Sequence, residues 1–165
     1  MVLNDNDIDL FLIDLVNVSK DNNLYAYMIF ESLYNTGLRI NELIDYSRLS
    51  DIDTNTILVT TQKFSNPRII SKSSLNSTYL SAFLNSKLAY YVRSYSFYSN
   101  YFINHLPTFK YIKTENKLIS THLFRHNYIK KLYNDGKTVS EISSIIGERS
   151  DANTFKYISS TIEAF

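Results

Sequence analysis

The sequence contains no cysteine, which excludes disulfides and cysteine-ligated metal centres. Its three histidines, His105, His122 and His126, have no strong metal-ligand spacing, so no metal and no other cofactor is expected. There is no run of about 18 apolar residues, the length a membrane span requires. The opening Met1-Val2-Leu3-Asn4-Asp5 lacks the basic-then-apolar pattern of a secretory signal. These absences point to a soluble intracellular protein without a membrane partner. Internal repeats, low-complexity tracts and linkers are also missing, so the 165 residues read as one domain, 1–165, large enough for a single core.

An overall excess of positive charge is missing too: the net charge is +1, whereas a protein that neutralises phosphates normally presents a basic surface. The distribution is more informative than the sum. Met1 to Thr60 carry three basic residues against ten acidic ones, giving −7, and Thr61 to Phe165 carry fourteen against six, giving +8. An asymmetry of that size suits one face turned toward a polyanion, although charge of this kind also decorates ordinary solvated faces.

What is present is mostly helical signal. Apolar periodicity and an acidic first turn predict a helix over Asp5 to Ser19. Asn22 or Asn23 is placed to cap a second helix that Gly37 stops. Short β-branched runs at Thr56 to Thr61 and Arg68 to Ser71, with Ser47 to Asp53 before them, predict a three-stranded antiparallel sheet. Helices are expected around Thr78 to Arg93 and Tyr98 to His105, the second ended by Pro107. The aromatic residues crowded between Leu75 and Phe102 fit core packing better than base stacking. Lys110, Lys113 and Lys117 then read as a basic loop. Ser120-Thr121 is positioned to cap a helix through His122 and Arg125 that runs to Asn134, with Lys130 and Lys131 outward. Thr138 to Glu141 match a capping box, Ile142, Ile145 and Ile146 form a buried face, Gly147 is a stop, and Ser150 or Asp151 caps a last helix bearing Tyr157. The fold class is α+β, mainly helical.

Three motifs carry chemistry. Thr36-Gly37-Leu38-Arg39-Ile40-Asn41-Glu42-Leu43 sets Glu42 three residues after Arg39, where it can orient the guanidinium or merely pair with it at a surface. His122-Leu123-Phe124-Arg125-His126 places a histidine and an arginine at i and i+3, on one side of a helix. Ile146-Gly147-Glu148-Arg149-Ser150 leads to Tyr157, whose phenolic oxygen can serve as a nucleophile.

In that order and spacing the motifs resemble the catalytic domain of the tyrosine recombinases, the phage-integrase family, from about Leu24 to Ser159. The resemblance implies DNA cutting and rejoining through a 3′-phosphotyrosyl bond at Tyr157. Arg39 and Arg125 would clamp the phosphate, and His122 would take the tyrosine proton or hydrogen-bond the phosphate. Lys63 would protonate the leaving oxygen, since Lys63 and Arg68 match the Lys-x4-Arg spacing of the family's β-hairpin. Glu42 and His126 would support these groups, His126 serving equally well as a packing residue. Arg68, Lys72, Lys130, Lys131 and Arg149 would contact DNA. Glu148 departs from the pattern, because the family has histidine or tryptophan there; pairing of its carboxylate with His122, Arg125 or a lysine is the expectation. The implied partner is double-stranded DNA, with a monomer in solution and a tetramer on DNA, and no ATP. The separate N-terminal core-binding domain usual in the family is not expected. A DNA-binding accessory protein with weakened chemistry, and a topoisomerase IB-like or hairpin-resolving nicking-closing enzyme, remain alternatives.

Overall fold

The computed structural model describes residues 1–60, 65–106 and 109–165. Its helical frame starts with α1 (Asp5–Asn22) and α2 (Leu24–Thr36), separated by one residue. Asn23 explains so short a joint: its N–H closes α1 onto the Ser19 carbonyl, and its side chain accepts from the Ala26 N–H to open α2. Met28, Ile29, Phe30 and Leu33 bury α2 at the centre of the core. Gly37 ends it in the left-handed region at φ 66°, and a Cβ there would lie 2.4 Å from the Tyr128 ring, so glycine is required twice over. The chain leaves Gly37 extended through Arg39 and enters the short α3 (Ile40–Ile44).

β2 (Leu49–Asp51), β3 (Thr56–Val59) and β4 (Arg68–Ser71) form the expected antiparallel sheet, with Leu49 opposite Val59 and Val59 opposite Arg68. The next two helices are shorter or earlier than expected. α4 spans only Ser77–Leu84, because Asn85 ends it and Ser86 turns away at φ 56°; α5 (Tyr95–Asn104) starts sooner because Ser94 caps it. The aromatic crowding is largely core, as expected: Tyr79, Tyr98, Tyr101 and Phe102 are buried, and Phe30 meets four aromatic rings at centroid distances of 5.4–6.4 Å. Tyr90, at 75% exposure, and Tyr95, at 48%, are exceptions.

A second sheet was not expected. The stretch read as a basic loop is the hairpin β5 (Ile112–Thr114) and β6 (Lys117–Ile119), turned by Glu115 and Asn116, both at positive φ. It is completed by β7 (Ile162–Ala164) and β1 (Val2–Leu3), in the order β1-β7-β5-β6. The residues after Tyr157 therefore fold back onto the same chain, with Ile112 opposite Ala164 and Leu3 opposite Ile162.

α6 (Leu123–Asn134), α7 (Val139–Ile146) and α8 (Asp151–Ser159) pack around Ile129, Ile142, Ile146 and Ile158, with Tyr157 at the edge of that cluster. Ile145 is left partly exposed, unlike its two neighbours in the expected buried face. The capping box at Thr138 and Glu141 is present and Ser150 caps α8. Ser120 and Thr121 do not cap α6 with their side chains. They open it through backbone bonds to Leu123 and Phe124, while the Ser120 hydroxyl pairs with Ser99. Among the described residues no helix is long and apolar enough to cross a membrane.

Candidate active site

Four separate stretches converge on a cleft of about 730 Å³ lined by Arg39, His122, His126, Glu148 and Tyr157. The left-handed turn at Gly37 delivers Arg39 to the first residue before α3. Its position is fixed by Glu42, whose Oε1 accepts the Arg39 backbone N–H at 2.8 Å. The Arg39 guanidinium itself reaches across the cleft, where Nη2 donates to Glu148 Oε1 at 2.6 Å.

His122 stands immediately before α6 with helical backbone angles, so the i, i+3 relation to Arg125 holds. Arg125 is entirely buried, donating from Nη1 to the Gly37 carbonyl at 2.9 Å and from Nη2 to the Ile146 carbonyl at 3.2 Å and Glu148 Oε1 at 3.0 Å. One residue thus ties the Gly37 turn, the end of α7 and Glu148 together. Glu148 pairs with Arg125, one of the expected partners, and additionally with Arg39; His122 is engaged elsewhere.

That engagement is with Tyr157, whose hydroxyl lies 2.9 Å from His122 Nε2. The His126 ring meets the Tyr157 ring edge-on at 4.6 Å, and the Arg125 guanidinium lies 5.7 Å from the tyrosine centroid. Burial, with Arg125 and Arg39 adding repulsion, pulls the His122 pKa down to about 4. Burial, with His122, Arg125 and Lys130, takes His126 to about 3. Both rings are therefore neutral near pH 7. Burial and the charge of Arg125 also lower the Arg39 pKa, against the opposing pull of Glu42 and Glu148.

The residues expected to meet DNA are not gathered at this cleft. Arg68 is a correction: it is buried and gives both terminal nitrogens to Glu42, Nη2 to Oε1 at 2.6 Å and Nη1 to Oε2 at 3.0 Å. Glu42 accordingly holds Arg68 and the Arg39 backbone rather than the Arg39 side chain, whose Nη1 is 4.0 Å away. Lys72 is tied to Asp51 and the Asp53 carbonyl, both at 2.6 Å. Lys130 donates to the Ile158 carbonyl at 2.8 Å and lies 3.4 Å from Asp5; Lys131 donates to the Tyr34 hydroxyl at 3.0 Å and lies 3.3 Å from Asp9. These two lysines brace α6 against its neighbours instead of standing clear of them. Arg149 is exposed. Lys63 lies outside the described residues.

A family model decides what this constellation belongs to: residues 11–163 match the phage integrase family. The chain is a member of the phage integrase family. Solved structures agree on the fold. The XerA recombinase structure is similar at 20% identity with a TM-score of 0.61, covering 96% of this chain and 58% of that one. XerH site-specific recombinase, bound to its difH substrate before cleavage, is similar at 14% identity and TM-score 0.60, covering 94% and 49%. The Tn1549 transposon integrase in complex with transposon right-end DNA follows at 16% and 0.52, covering 88% and 58%. This integrase-family chain thus spans about half the length of the solved structures it matches. A comparison with curated proteins finds no match.

The cleft of this family member also includes residues that sequence reasoning missed: Ser65, Thr114, Glu115, Asn153 and Lys156. Lys156 had a usable signal, being adjacent to Tyr157. Thr114 and Glu115 had none, because the hairpin that carries them was not recognised. Among the described residues no group of three or more histidine, aspartate or glutamate side chains is arranged to hold a metal ion.

Proposed function

We propose that residues 1–165 form the catalytic domain of a site-specific recombinase that cuts and rejoins double-stranded DNA through a 3′-phosphotyrosyl intermediate. The observation that carries this reading is the 2.9 Å contact between the Tyr157 hydroxyl and a neutral His122 ring, beside two arginines and within one chain. Tyr157 attacks the scissile phosphorus; the bond from its phenolic oxygen to phosphorus forms as the bond to the 5′ oxygen breaks. His122 Nε2 accepts the phenolic proton, which requires the tautomer protonated at Nδ1. Arg39 and Arg125 offset the charge that grows on the non-bridging oxygens, a task suited to the planar guanidinium fork. Lys63, by resemblance, supplies the proton for the 5′ oxygen. The reverse sequence reseals the strand, so the phosphodiester energy is conserved and ATP is not consumed.

DNA as the partner is supported by neighbours whose structures contain it, XerH with difH substrate and the Tn1549 integrase with a transposon end. The free chain is read as a monomer, because β7 is already engaged between β1 and β5 of its own sheet; assembly into a tetramer belongs to the DNA-bound state. The test uses a nicked suicide duplex. Wild type is expected to give an SDS-resistant adduct, and Tyr157→Phe at least about 10³-fold less, with its melting temperature nearly unchanged. An adduct formed equally well by the Phe variant overturns the assignment. A second reading, a DNA-binding accessory protein, draws on the seal that Glu148 makes over Arg125. Salt-sensitive DNA binding without any adduct from wild type would favour it.

A further inference from the structure

Arg125 is assigned to the phosphate, yet it has no access to the cleft: its side chain is 0% exposed, and the group facing the cleft in front of it is the Glu148 carboxylate. The geometry of that carboxylate is unusual. One oxygen, Oε1, receives Nη2 of Arg39 at 2.6 Å and Nη2 of Arg125 at 3.0 Å. Two guanidinium groups converging on one anionic oxygen is the pattern a non-bridging phosphoryl oxygen would meet. Donors are also left over. Arg39 Nη1 and Arg125 Nε are buried without a hydrogen-bond partner among the described residues, so the pair offers more hydrogen bonds than the carboxylate takes up.

We propose that Glu148 is an exchangeable internal anion, which holds Arg39 and Arg125 in the position of a phosphoryl oxygen and is displaced when a phosphodiester seats in the cleft. This rests on the proposed function and adds a step to it. A fully buried Arg125 guanidinium beside the half-buried Arg39, with no anion between them, would be strongly destabilising, so a resident carboxylate keeps the unliganded site folded. A phosphodiester brings the same kind of oxygen plus a second one for the surplus donors, and its own contacts elsewhere on the protein favour the exchange.

The backbone around Glu148 indicates how the exchange proceeds. The Glu148 N–H is bonded to the Ser143 carbonyl at 2.9 Å, Asn66 N–H donates to the Gly147 carbonyl at 2.8 Å, and Ser65 bridges to Glu148. Gly147 is packed closely against the Asn66 carbonyl, which would lie 2.7 Å from a Cβ there. The main chain is therefore held, and the carboxylate leaves by rotation of its own side chain into the cleft, where Asn153 and Lys156 line the wall. A consequence is that wild-type affinity for a bare anion is reduced, because the anion competes with a carboxylate already in place. Only a ligand with additional contacts, such as duplex DNA, binds well.

The test is calorimetric titration of inorganic phosphate into wild type, Glu148→Gln and Glu115→Gln, the last removing an exposed charge from the same cleft. Glu148→Gln is expected to bind at least about tenfold more tightly than wild type and Glu115→Gln less than about threefold more tightly. Equal gains in both variants would reduce the effect to net charge and overturn the proposal. No gain in Glu148→Gln would make the carboxylate a fixed brace and also overturn it. Absence of phosphate binding in all three proteins would overturn the arginine clamp itself, and with it the proposed function. Should Glu148→Gln not fold, crystals of wild type soaked in orthovanadate give the same decision. Glu148 turned away from both arginines supports the exchange, and vanadate bound with Glu148 still on Arg125 refutes it.

Discussion

Two buried carboxylates hold arginines within a few residues of each other in space, Glu42 with Arg68 and Glu148 with Arg39 and Arg125. In the first assembly each carboxylate oxygen meets one guanidinium nitrogen, at 2.6 and 3.0 Å, and Oε1 additionally receives the Arg39 N–H. In the second, a single oxygen serves two arginines, while Arg39 Nη1 and Arg125 Nε lack a partner among the described residues. Residue types are alike, and both carboxylates are buried; hydrogen-bond completeness differs. A completed pair ties the sheet of β2, β3 and β4 to α3 and has nothing further to offer a ligand. The incomplete one sits at the cleft with donors to spare, which is what a site awaiting an anion requires.

The largest effect that would sharpen this contrast lies in the completed pair. Arg68→Met leaves Glu42 buried without its partner, which costs about 3–5 kcal/mol. For a chain of this size that lowers the melting temperature by about 10 °C. Adding Glu42→Gln removes the stranded carboxylate while keeping an acceptor for the Arg39 N–H, and most of the loss is expected to return. Thermal unfolding followed by circular dichroism checks both proteins. A single variant within about 1 kcal/mol of wild type, or a double variant no more stable than the single one, breaks the comparison.

Arg68 also marks the boundary of what sequence reasoning could reach. Its spacing from Lys63 was visible, but whether an arginine on a short strand points to DNA or to a carboxylate 26 positions earlier depends on packing that no local pattern encodes. The features that were legible are local ones: the Asn23 cap, the glycine stops at 37 and 147, the capping box at Thr138, and the three short strands of the first sheet. The second sheet escaped because its strands have two or three residues each, and β5 finds its partner β7 some fifty positions later. Convergence of Arg39, His122, Arg125 and Tyr157 was expected through the family resemblance. The double grip of Arg39 and Arg125 on Glu148 was not, since it depends on distances across the cleft.

The histidines extend the contrast to groups whose charge can change. His122 and His126 lie beside Arg125, His126 also feels Lys130, and the direct partner of His122 is the Tyr157 hydroxyl. Protonation is thus opposed by burial and by neighbouring positive charge. Their pKa values fall from 6.5 to about 4 and about 3 in the folded chain. Below pH 6.5 the unfolded chain takes up protons that the folded chain refuses, so stability falls as pH drops from 6.5 toward 4. By pH 5 the loss is about 2 kcal/mol for each ring. Melting temperatures measured between pH 7.5 and 5 should be level above 7 and decline below 6.5, with a shallower decline in His126→Gln. A level profile down to pH 5 would mean that these rings already carry charge in the folded state, and that the cleft holds counter-charge beyond Glu148.

The smallest effect separates a surface cation with partners in its own chain from the cation beside Glu148. Both cations are exposed, but Lys131 lies 3.3 Å from Asp9 and donates to Tyr34, whereas Arg149 stands next to Glu148. If DNA is the partner, each phosphate contact releases counterions and steepens the fall of affinity with salt by roughly 0.9 logarithmic unit per contact. Arg149→Ala should therefore flatten that dependence by about one such contact and weaken binding by less than about tenfold. Lys131→Ala, by contrast, should leave the salt slope where it is and lower stability by about 0.5–1 kcal/mol through the lost contacts with Asp9 and Tyr34. DNA titrations at four salt concentrations, paired with melting curves, read both quantities on the same proteins. Equal slopes for the two variants would show that a surface ion pair within the chain does not withhold a lysine from DNA, and the distinction drawn from Glu42 and Glu148 would then hold only for buried groups.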